Sequence, residues 1–497
     1  MIPPRVLAGT ETEYGFQIEG RGAREQIDDA SAFVRAYPGP AFVGWDYRPE
    51  SPRADLRGFR LERLATDPQD AQFDAGLTHA PAHEVRADRI LPNGARFYND
   101  HGHPEYSTPE AWTAREVALQ DAAGEVLLRR CADAYARASG QTVRIFKNNT
   151  DFHGAAYGTH ESYLVPRSLS YAELYAAVTP LLIARQILTG AGKVGAETGT
   201  PVPYQISQRA DFFVEAANAE TLFRRPVFNT RDEPHADPRA WVRLHVISGD
   251  ANRMAACTAR RVGLVQMAVA LAIVGEAPKW RVLDPVRAFQ AVSRDPDGRC
   301  FRVDLEGSNW TDAYQILESY CEAAAHVFDL TDHPFTELIT ESRSLVAALR
   351  AGDEAALRPH VDWVAKRDVV RQYAEAMGHS PDDPELASVD LAYADLDPEE
   401  SLFDALVEMG QVGWVPTPEE LESRLETAPP DTRAAWRGHA VQHFPDAIRS
   451  AAWSCLNLAD GNRTAELYLD PMAQPDQDSD LPTNAADFIA HLRTRSS

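Results

Sequence analysis

The sequence contains little cysteine and no excess of positive charge. Its five cysteines are spread over 497 residues without a Cys-x-x-Cys pair. Such spacing is not that of a disulfide-stabilised secreted domain or a cysteine-rich zinc site, and it indicates a reducing cytoplasm. The 49 basic and 74 acidic side chains give a net charge of −25. General nucleic-acid binding and docking on anionic membranes need a basic surface, so we expect neither partner.

Signals for export, membrane insertion and several common active sites are also missing. The first residues, Met-Ile-Pro-Pro-Arg, do not form a secretory signal. The longest apolar run, residues 262–275, is interrupted by Gln266 and is too short for a bilayer, so it predicts a buried helix. A Walker-type loop, a Gly-x-Gly-x-x-Gly turn after a predicted strand and a Gly-x-Ser-x-Gly elbow do not occur. We expect a cytoplasmic protein.

What the sequence does contain is a mixture of strand and helix periodicities. Residues 6–17 and 95–100 alternate as strands do. Longer segments carry apolar residues at helical spacing; they are 109–138, 171–189, 253–275 and 310–328. Because these elements do not alternate regularly as β-α-β units, they favour an α+β fold.

The chain is too long for one simple domain. A short helical pattern bounded by prolines at 415–431 predicts a boundary there, which divides the chain into a catalytic domain, 1–425, and a small C-terminal domain, 426–497. Residues 46–86 are rich in Pro, Asp, Arg and Gly, and they predict a mobile insertion loop near the active site.

Acidic side chains alternate on one face of the two predicted strands. Glu11 and Glu13 share a face of the first, Tyr98 and Asp100 share a face of the second, and Glu105 follows closely. Carboxylate oxygens suit Mg²⁺, which keeps several waters and uses a few protein ligands. A solvated sheet face with scattered acids would give the same pattern, and the spacing alone leaves both interpretations open.

Polar residues and glycine are also dense in three later segments. Residues 147–163 are typical of a binding loop, although a hydrophilic surface loop has the same composition. Residues 231–235 and 243–252 bring arginines close to histidines, which makes a phosphate site plausible. His101 and His103 flank a glycine, but a third His or Cys at zinc spacing is missing.

Ordered motifs over nearly the whole chain carry a family resemblance. They are GTETEYG from Gly9, NGARFYNDHGHPEYSTPE from Asn93, FKNNTD from Phe146, YGTHESY from Tyr157, ISQRAD from Ile206, NTRDEPHAD from Asn229, RLHVISGDAN from Arg243, DLAYADL from Asp390, DTRAAWRG from Asp431 and AAWSCLNL from Ala451. Together they resemble the family of Pup ligases and Pup deamidases. In one departure from the family pattern, Ser162 follows the His-Glu pair where Asn is usual.

The resemblance implies a glutamine-synthetase-like large domain with a curved antiparallel sheet, and a small C-terminal domain that contributes to an ATP site. It implies Asp100 as the catalytic residue, which could attack a carbonyl, activate water or position a phosphate. The implied Mg²⁺ ligands are Glu11, Glu13, Tyr98 and Glu105. The implied nucleotide-cleft residues are Arg96, Thr108, His160, His245, Arg433 and the adenine-stacking Trp453. Arg209 is implied to hold the C-terminal end of the modifier Pup.

The segment WDYRPESPRADLRGF from Trp45 resembles an insertion that the deamidases carry and the ligases lack. We therefore expect an ATP- and Mg²⁺-dependent hydrolase that deamidates the C-terminal Gln of Pup and cleaves Pup–lysine bonds in pupylated proteins. A Pup–protein ligase, an ATP-binding protein without turnover and a relative that acts on another amide are the alternatives.

Overall fold

The computed structural model describes residues 1–62, 64, 87–152, 154–473, 475 and 481–495. The helices are α1 (Gln26–Arg35), α2 (Ala114–Ser139), α3 (Tyr171–Thr189), α4 (Ala255–Ile273), α5 (Pro285–Ser293), α6 (Ala313–Val327), α7 (Phe335–Ala351), α8 (Glu354–Leu357), α9 (Asp362–Met377), α10 (Leu386–Ala394), α11 (Leu402–Glu408), α12 (Pro418–Glu426), α13 (Ala434–His443) and α14 (Ala485–Arg495). The strands are β1 (Ala8–Glu13), β2 (Gly15–Ile18), β3 (Asp88–Ile90), β4 (Arg96–Asp100), β5 (His103–Ser107), β6 (Val143–Phe146), β7 (Thr159–Pro166), β8 (Lys193–Val194), β9 (Tyr204–Gln205), β10 (Phe213–Asn218), β11 (Arg225–Asn229), β12 (Trp241–Val246), β13 (Arg302–Leu305), β14 (Asn309–Asp312), β15 (Ile448–Ala451), β16 (Cys455–Asp460) and β17 (Arg463–Tyr468).

A six-stranded antiparallel sheet organises the molecule, in the order β12-β7-β1-β5-β4-β3. Strand β1 lies inside this sheet, and its Glu11 is opposite Ser107 on β5 and His160 on β7. Because side chains alternate between the faces of a strand, this register brings the polar positions of several strands to one face. The mixed α+β class predicted from the sequence is confirmed.

The opposite face of the sheet packs against helices and forms the main core. Buried residues of β7 and β12, such as Val165 and Leu244, join apolar side chains of α3 and α4 in one cluster. Helix α4 is long and apolar enough to cross a membrane, but 89% of its most apolar window is buried inside the protein, as in a core helix. The predicted buried helix is confirmed; it is longer than the apolar run of 262–275 because it begins at Ala255.

Most of the predicted elements are present, with shifted ends. The strand predicted at 6–17 is divided at Tyr14 into β1 and β2, which pair with different strands. The helix predicted at 109–138 begins later, because Ala111 still hydrogen-bonds Ala8 across the sheet and Thr113 caps the helix. The helix predicted at 310–328 also begins later, because Trp310 belongs to the β13–β14 hairpin.

The predicted mobile insertion, 46–86, is described only in its first part and at residue 64. Residues 46–62 are attached to the body: the amide of Asp46 bonds the carbonyl of Ala451 at 2.9 Å, and the amide of Leu56 bonds that of Thr230 at 2.8 Å. Asp55 is buried and accepts from the Thr230 hydroxyl at 2.6 Å. These bonds attach residues 46–62 to the rest of the protein. Residues 63 and 65–86 lie outside the described residues, and the mobility of the insertion stays a prediction.

The elements after α12 surround a second apolar cluster. Strands β15, β16 and β17 form an antiparallel sheet that packs with α13 and α14, and the cluster also takes in Trp45 and Ile90 from the first part of the chain. Two ion pairs join this cluster to the first part of the chain: Glu110 binds Arg433 at 2.7 Å and Arg437 at 2.8 Å. All three groups are buried, so each charge depends on the others for compensation.

Glu110→Gln should lower the free energy of unfolding by about 3–5 kcal/mol at neutral pH, because it leaves two buried guanidinium groups without their carboxylate. Burial alone would raise the pKa of Glu110, but Arg437 and Arg433 hold that pKa at about 2. A lowered pKa gives stability that is present above the ordinary Glu range and is lost as the pH falls towards 2. Urea unfolding should therefore show the difference between variant and wild type shrinking in acid.

Glu422→Gln is the matched control for this measurement. Glu422 pairs with Arg130 on the surface, and about 44% of its side chain is exposed. Losing such a pair should cost less than about 1 kcal/mol. Equal effects of the two substitutions at neutral pH would show that Glu110 does not join the two parts of the chain.

Candidate active site

The polar face of the six-stranded sheet forms the floor of a cleft with an empty volume of about 930 Å³. The predicted strands contribute as expected, since Glu11 and Glu13 of β1 and Tyr98 and Asp100 of β4 all line this cleft. Other lining residues come from neighbouring strands and from loops above the sheet; they are Tyr47, Glu50, Arg96, His101, Glu105, Ser107, His160, Arg209, Arg225, Arg231, Glu233, His235, Arg243, His245 and Trp453. The spacing of the acids therefore marks a walled cleft rather than an open surface.

Three carboxylates from adjacent strands crowd together on the cleft floor. One oxygen each of Glu13, Asp100 and Glu105 lies within 4.8 Å of the others. The hydroxyls of Tyr98 and Ser107 both donate to Oε1 of Glu105, at 2.7 and 3.1 Å. Burial and the neighbouring carboxylates raise the pKa of Glu105 well above its usual range. Hard oxygen donors with this excess of negative charge fit a divalent cation such as Mg²⁺.

Glu11 lies beside this trio and contacts two imidazoles. His160 Nδ1 and His245 Nε2 are each 3.7 Å from Oε2 of Glu11, and Arg243 is 3.4 Å from Oε1. Burial would raise the pKa of Glu11, but the two imidazoles and the guanidinium hold it well below its usual range. Both ring nitrogens of His245 are buried without a hydrogen-bond partner among the described residues. Together Glu11, His160 and His245 can also hold a cation, which would satisfy one of the two nitrogens of His245.

Asp100 ends β4 at a tight hairpin. The two turn residues, His101 and Gly102, have φ of 49° and 96°, as a two-residue turn of the primed type requires. His101 Nδ1 lies 3.0 Å from Oδ1 of Asp100. Burial would raise the pKa of Asp100, but His101, His160 and Arg96 lower it. Asp100 is therefore an ionised carboxylate at neutral pH, and it lies close to Glu13 and Glu105, the candidate ligands of a cation.

Arg96 is held by aromatic rings, of which Trp45 and Tyr47 were not predicted from the sequence to lie at the site. Its guanidinium carbon lies 3.7 Å from the ring centre of Tyr98 and 4.3 Å from that of Trp45. Its Nη2 donates to the hydroxyl of Tyr47 at 2.7 Å. The 45–50 segment thus forms one wall of the cleft. The aromatic spacing of Trp45 and Tyr47 next to Glu50 was the available signal for this wall.

A less polar pocket of about 550 Å³ adjoins the cleft and shares Trp453 with it. The Trp453 ring meets Trp45 edge to face, with ring centres 5.0 Å apart, and Arg437 lies over it at 4.9 Å. Thr108 lines this pocket, and its hydroxyl accepts from the amide of Thr10 at 3.0 Å. Trp453 and Thr108 are far apart in the sequence, and both were predicted as nucleotide-site residues. The fold brings them to one pocket.

Arg433 also lines this pocket, but much of its guanidinium is used within the protein. Its Nε donates to Glu110, and its Nη1 donates to the carbonyls of His235 and Leu469 at 2.8 and 3.1 Å. Arg433 therefore connects three separate parts of the chain around the pocket, at Glu110, His235 and Leu469. Ser162, the departure from the family pattern, lies nearby with its hydroxyl 3.5 Å from Oε1 of Glu11.

Arg209 lies at the cleft with its fork turned to the backbone. Its Nη1 donates to the carbonyl of Tyr157, and its Nη2 to that of Ile247 at 3.2 Å. Burial lowers the pKa of its guanidinium to about 9. Three further arginines that had no individual assignment line the same cleft; they are Arg225, Arg231 and Arg243. The last two lie in segments that the sequence analysis singled out for phosphate.

Buried carboxylates and imidazoles, arginines and an aromatic pocket on one sheet face are the groups of an enzyme site that can hold a divalent cation together with an anionic ligand. Residues 6–457 match the family model of the Pup-ligase protein. The chain belongs to this family, as its ordered motifs predicted.

Relatives of both activities match the chain. It is 36% identical to the depupylase of Acidothermus cellulolyticus, over 90% of either chain. It is 34% identical to the Pup deamidase/depupylase of Mycolicibacterium smegmatis, over 90% of this chain and 91% of that one. It is 36% identical to the Pup–protein ligase of Xylanimonas cellulosilytica, over 78% of this chain and 88% of the ligase.

Two solved structures show the same fold. The ligase PafA in complex with the prokaryotic ubiquitin-like protein Pup superposes with a TM-score of 0.76 and 26% identity, over 99% of this chain and 92% of that one. PafA in complex with ADP superposes with a TM-score of 0.72 and 27% identity, over 88% and 96%.

Glu11→Gln should weaken the binding of a divalent cation by at least about tenfold, because it removes the charged oxygen donor of the group that Glu11 forms with His160 and His245. Electron paramagnetic resonance titration with Mn²⁺ measures this directly. Glu306→Gln, at an exposed position of the β13–β14 turn, is the control. Equal Mn²⁺ affinity of wild type and Glu11→Gln would remove Glu11 from the cation site.

Proposed function

We propose that this chain is an ATP- and Mg²⁺-dependent amidase that deamidates the C-terminal Gln of Pup and releases Pup from lysines of pupylated proteins. The observation that carries the proposal is the position of Asp100. Its ionised carboxylate lies within 4.8 Å of candidate cation ligands at the floor of a cleft that opens beside the Trp453 pocket. The depupylase relatives, which align over 90% of the chain, support the substrate.

In this proposal Mg²⁺ is held by Glu11, Glu13, Tyr98 and Glu105. Burial and nearby carboxylates raise the pKa of Tyr98 well above its usual range, so the phenol takes part as a neutral oxygen. The bound cation supplies positive charge to phosphate and carbonyl oxygens. The four residues belong to β1, β4 and β5, whose ladder hydrogen bonds fix their separation.

The nucleotide would bind between the sheet and the C-terminal elements. Trp453 would stack on adenine, Thr108 and Arg433 would shape the pocket, and Arg96, His160 and His245 would bind near the phosphates. We also propose the finer architecture on this basis: a glutamine-synthetase-like domain, 1–425, and a small domain, 426–497, that adds Arg433 and Trp453 to the site. Support comes from the shared pocket of these residues and from the ADP complex of PafA.

The two proposed reactions break the same type of bond. Hydrolysis cleaves the C–N bond of a γ-carboxamide and adds water, and either ammonia or the lysine amine leaves. Asp100, being ionised, can give an electron pair to the carbonyl carbon or accept the proton of an attacking water. Cations of the cleft wall can balance the charge that develops on the oxygen. Arg209 supports the loop at Tyr157 and Gly158, over which the end of Pup would lie.

Hydrolysis rather than ligation is favoured by the 45–50 wall. This segment begins the sequence that resembles the deamidase insertion, and its Tyr47 and Glu50 line the cleft. The ligase relatives also align over a smaller share of the chain, 78% against 90%. Ligation is the second candidate, because it would use the same cation and nucleotide sites.

Trp453→Ala should weaken ATP binding by about 10- to 100-fold, because base–aromatic stacking contributes about 1–3 kcal/mol. Calorimetry with ATP in excess Mg²⁺ measures the loss. Trp310→Ala is the control, since Trp310 is exposed on the β13–β14 hairpin. A lower melting temperature with unchanged ATP affinity would make Trp453 a packing residue alone.

Asp100→Asn should bind ATP and Pup but lose deamidation and isopeptide cleavage by about 10²- to 10⁴-fold, because the amide keeps the shape without the base. Gln-ended Pup and a Pup–lysine conjugate are each incubated with enzyme, ATP and Mg²⁺. Mass spectrometry then measures the rates at which Glu-ended Pup and free Pup form. Asp304→Asn, at an exposed position of β13, should behave as wild type. Cleavage by Asp100→Asn at the wild-type rate would reduce Asp100 to a structural carboxylate.

A further inference from the structure

A buried cluster of charges lies directly behind β1, on the side away from the cleft. We call it the anchor cluster; its members are Asp121, Glu125, Lys147 and Arg253. Lys147 Nζ donates to Asp121 and to Glu125, both at 2.7 Å. Arg253 approaches Glu125 at 3.6 Å and pairs with Asp404 of α11 at 3.0 Å. The four members of the cluster are all buried, in a place where an uncompensated charge would be costly.

The anchor cluster contacts β1 through threonine hydroxyls. Thr12 Oγ1 donates to Oδ1 of Asp121 at 2.9 Å, and Thr10 Oγ1 is 3.5 Å from the same oxygen. In β1 these threonines alternate with Glu11 and Glu13. The hydroxyls therefore lie on the face towards α2, and the carboxylates lie on the opposite face, towards the cleft. One strand therefore carries the proposed cation ligands on one face and a hydrogen bond to a fixed buried carboxylate on the other.

The carboxylate of Asp121 is itself well fixed. It projects from the long helix α2, one turn before Glu125, and Lys147 bridges the two acids. Burial would lower the pKa of Lys147, but Asp121 and Glu125 raise it, so the ammonium stays charged. A charge-assisted pair of this kind resists displacement more than a neutral hydrogen bond does.

We propose that Thr12 and Asp121 are positioning residues for the cation site. Their hydrogen bond sets how far β1 lies from α2, and thereby the depth at which Glu11 and Glu13 enter the cleft. The inference rests on the proposed function, because it assumes that these carboxylates hold Mg²⁺. Mg²⁺ demands near-ideal octahedral geometry, whereas Ca²⁺ accepts six to eight oxygens in flexible arrangements. A small shift of β1 should therefore affect Mg²⁺ more than Ca²⁺.

A purely structural role gives a different result. Strand β1 is already paired on both sides, with β5 and β7, so its register does not depend on the Thr12 hydroxyl. If the hydroxyl only stabilised the fold, its loss would lower the melting temperature and leave the relative affinity for the two ions unchanged. The selectivity for Mg²⁺ over Ca²⁺ thus separates positioning from stability.

The test is Thr12→Val, which keeps the shape of the side chain and removes the donor. Dissociation constants for Mg²⁺ and Ca²⁺ are obtained from displacement of bound Mn²⁺, followed by electron paramagnetic resonance. We expect Mg²⁺ binding to weaken about tenfold, as for losses of supporting residues around a metal, and Ca²⁺ binding to weaken less than about threefold. Thr12→Ser, which keeps the hydroxyl, should restore the wild-type ratio. Thr12→Ala should change it as Thr12→Val does, and serves if Thr12→Val does not fold.

Thr258→Val is the matched control, because Thr258 is buried in α4 and its hydroxyl has no partner among the described residues. It should leave the ratio of the two dissociation constants unchanged. An unchanged ratio in both Thr12→Val and Thr12→Ala would overturn the positioning role while leaving the proposed function intact. Failure of the wild type to bind Mn²⁺ at all would instead overturn the cation assignment, and with it this inference.

Discussion

The crowding of carboxylates on one face of the central sheet is the constraint on which the rest of the site depends. Glu11, Glu13, Asp100 and Glu105 come from three adjacent strands, and antiparallel pairing keeps them close together. Like charges at such distances repel unless cations compensate them. Arg96 and Arg243 approach from the walls, and the cluster as a whole fits an additional divalent cation.

Positive charges compensate buried carboxylates on both sides of the sheet. On the cleft side, buried arginines stand opposite the acids, so an anionic ligand can bind between them. On the helix side, the anchor cluster holds β1 through the Thr12 hydroxyl. The 45–50 wall and Trp453 line the cleft, where Trp45 meets Trp453 edge to face and lies against the guanidinium of Arg96. Cation binding, nucleotide binding and hydrolysis are thus proposed as three uses of one charged surface.

Much of this arrangement could be predicted from the sequence because it depends on local period. Alternation alone brings Glu11 with Glu13, and Tyr98 with Asp100, to common faces, and ordered motifs indicate the family. Three features could not be predicted in this way. The first is the way the 45–50 segment folds back over the cleft. Its contacts to Arg96 and Ala451 join residues that are distant in sequence, so no local pattern indicates them. Arg209 and Arg433 are turned largely to backbone carbonyls or to Glu110. The anchor cluster joins α2 to the two loops that contain Lys147 and Arg253, which no single motif connects.

The direction of the chemistry is the central claim, and one competition measurement tests it most directly. The wild-type protein is mixed with Mg²⁺, ATP, Glu-ended Pup, a lysine-bearing acceptor protein and an isotopically labelled Pup conjugate of the same acceptor. Mass spectrometry then follows the labelled and unlabelled conjugates together. The account predicts that the labelled conjugate disappears and that no unlabelled conjugate forms. Growth of the unlabelled conjugate while the labelled one persists would contradict it and identify the chain as a ligase.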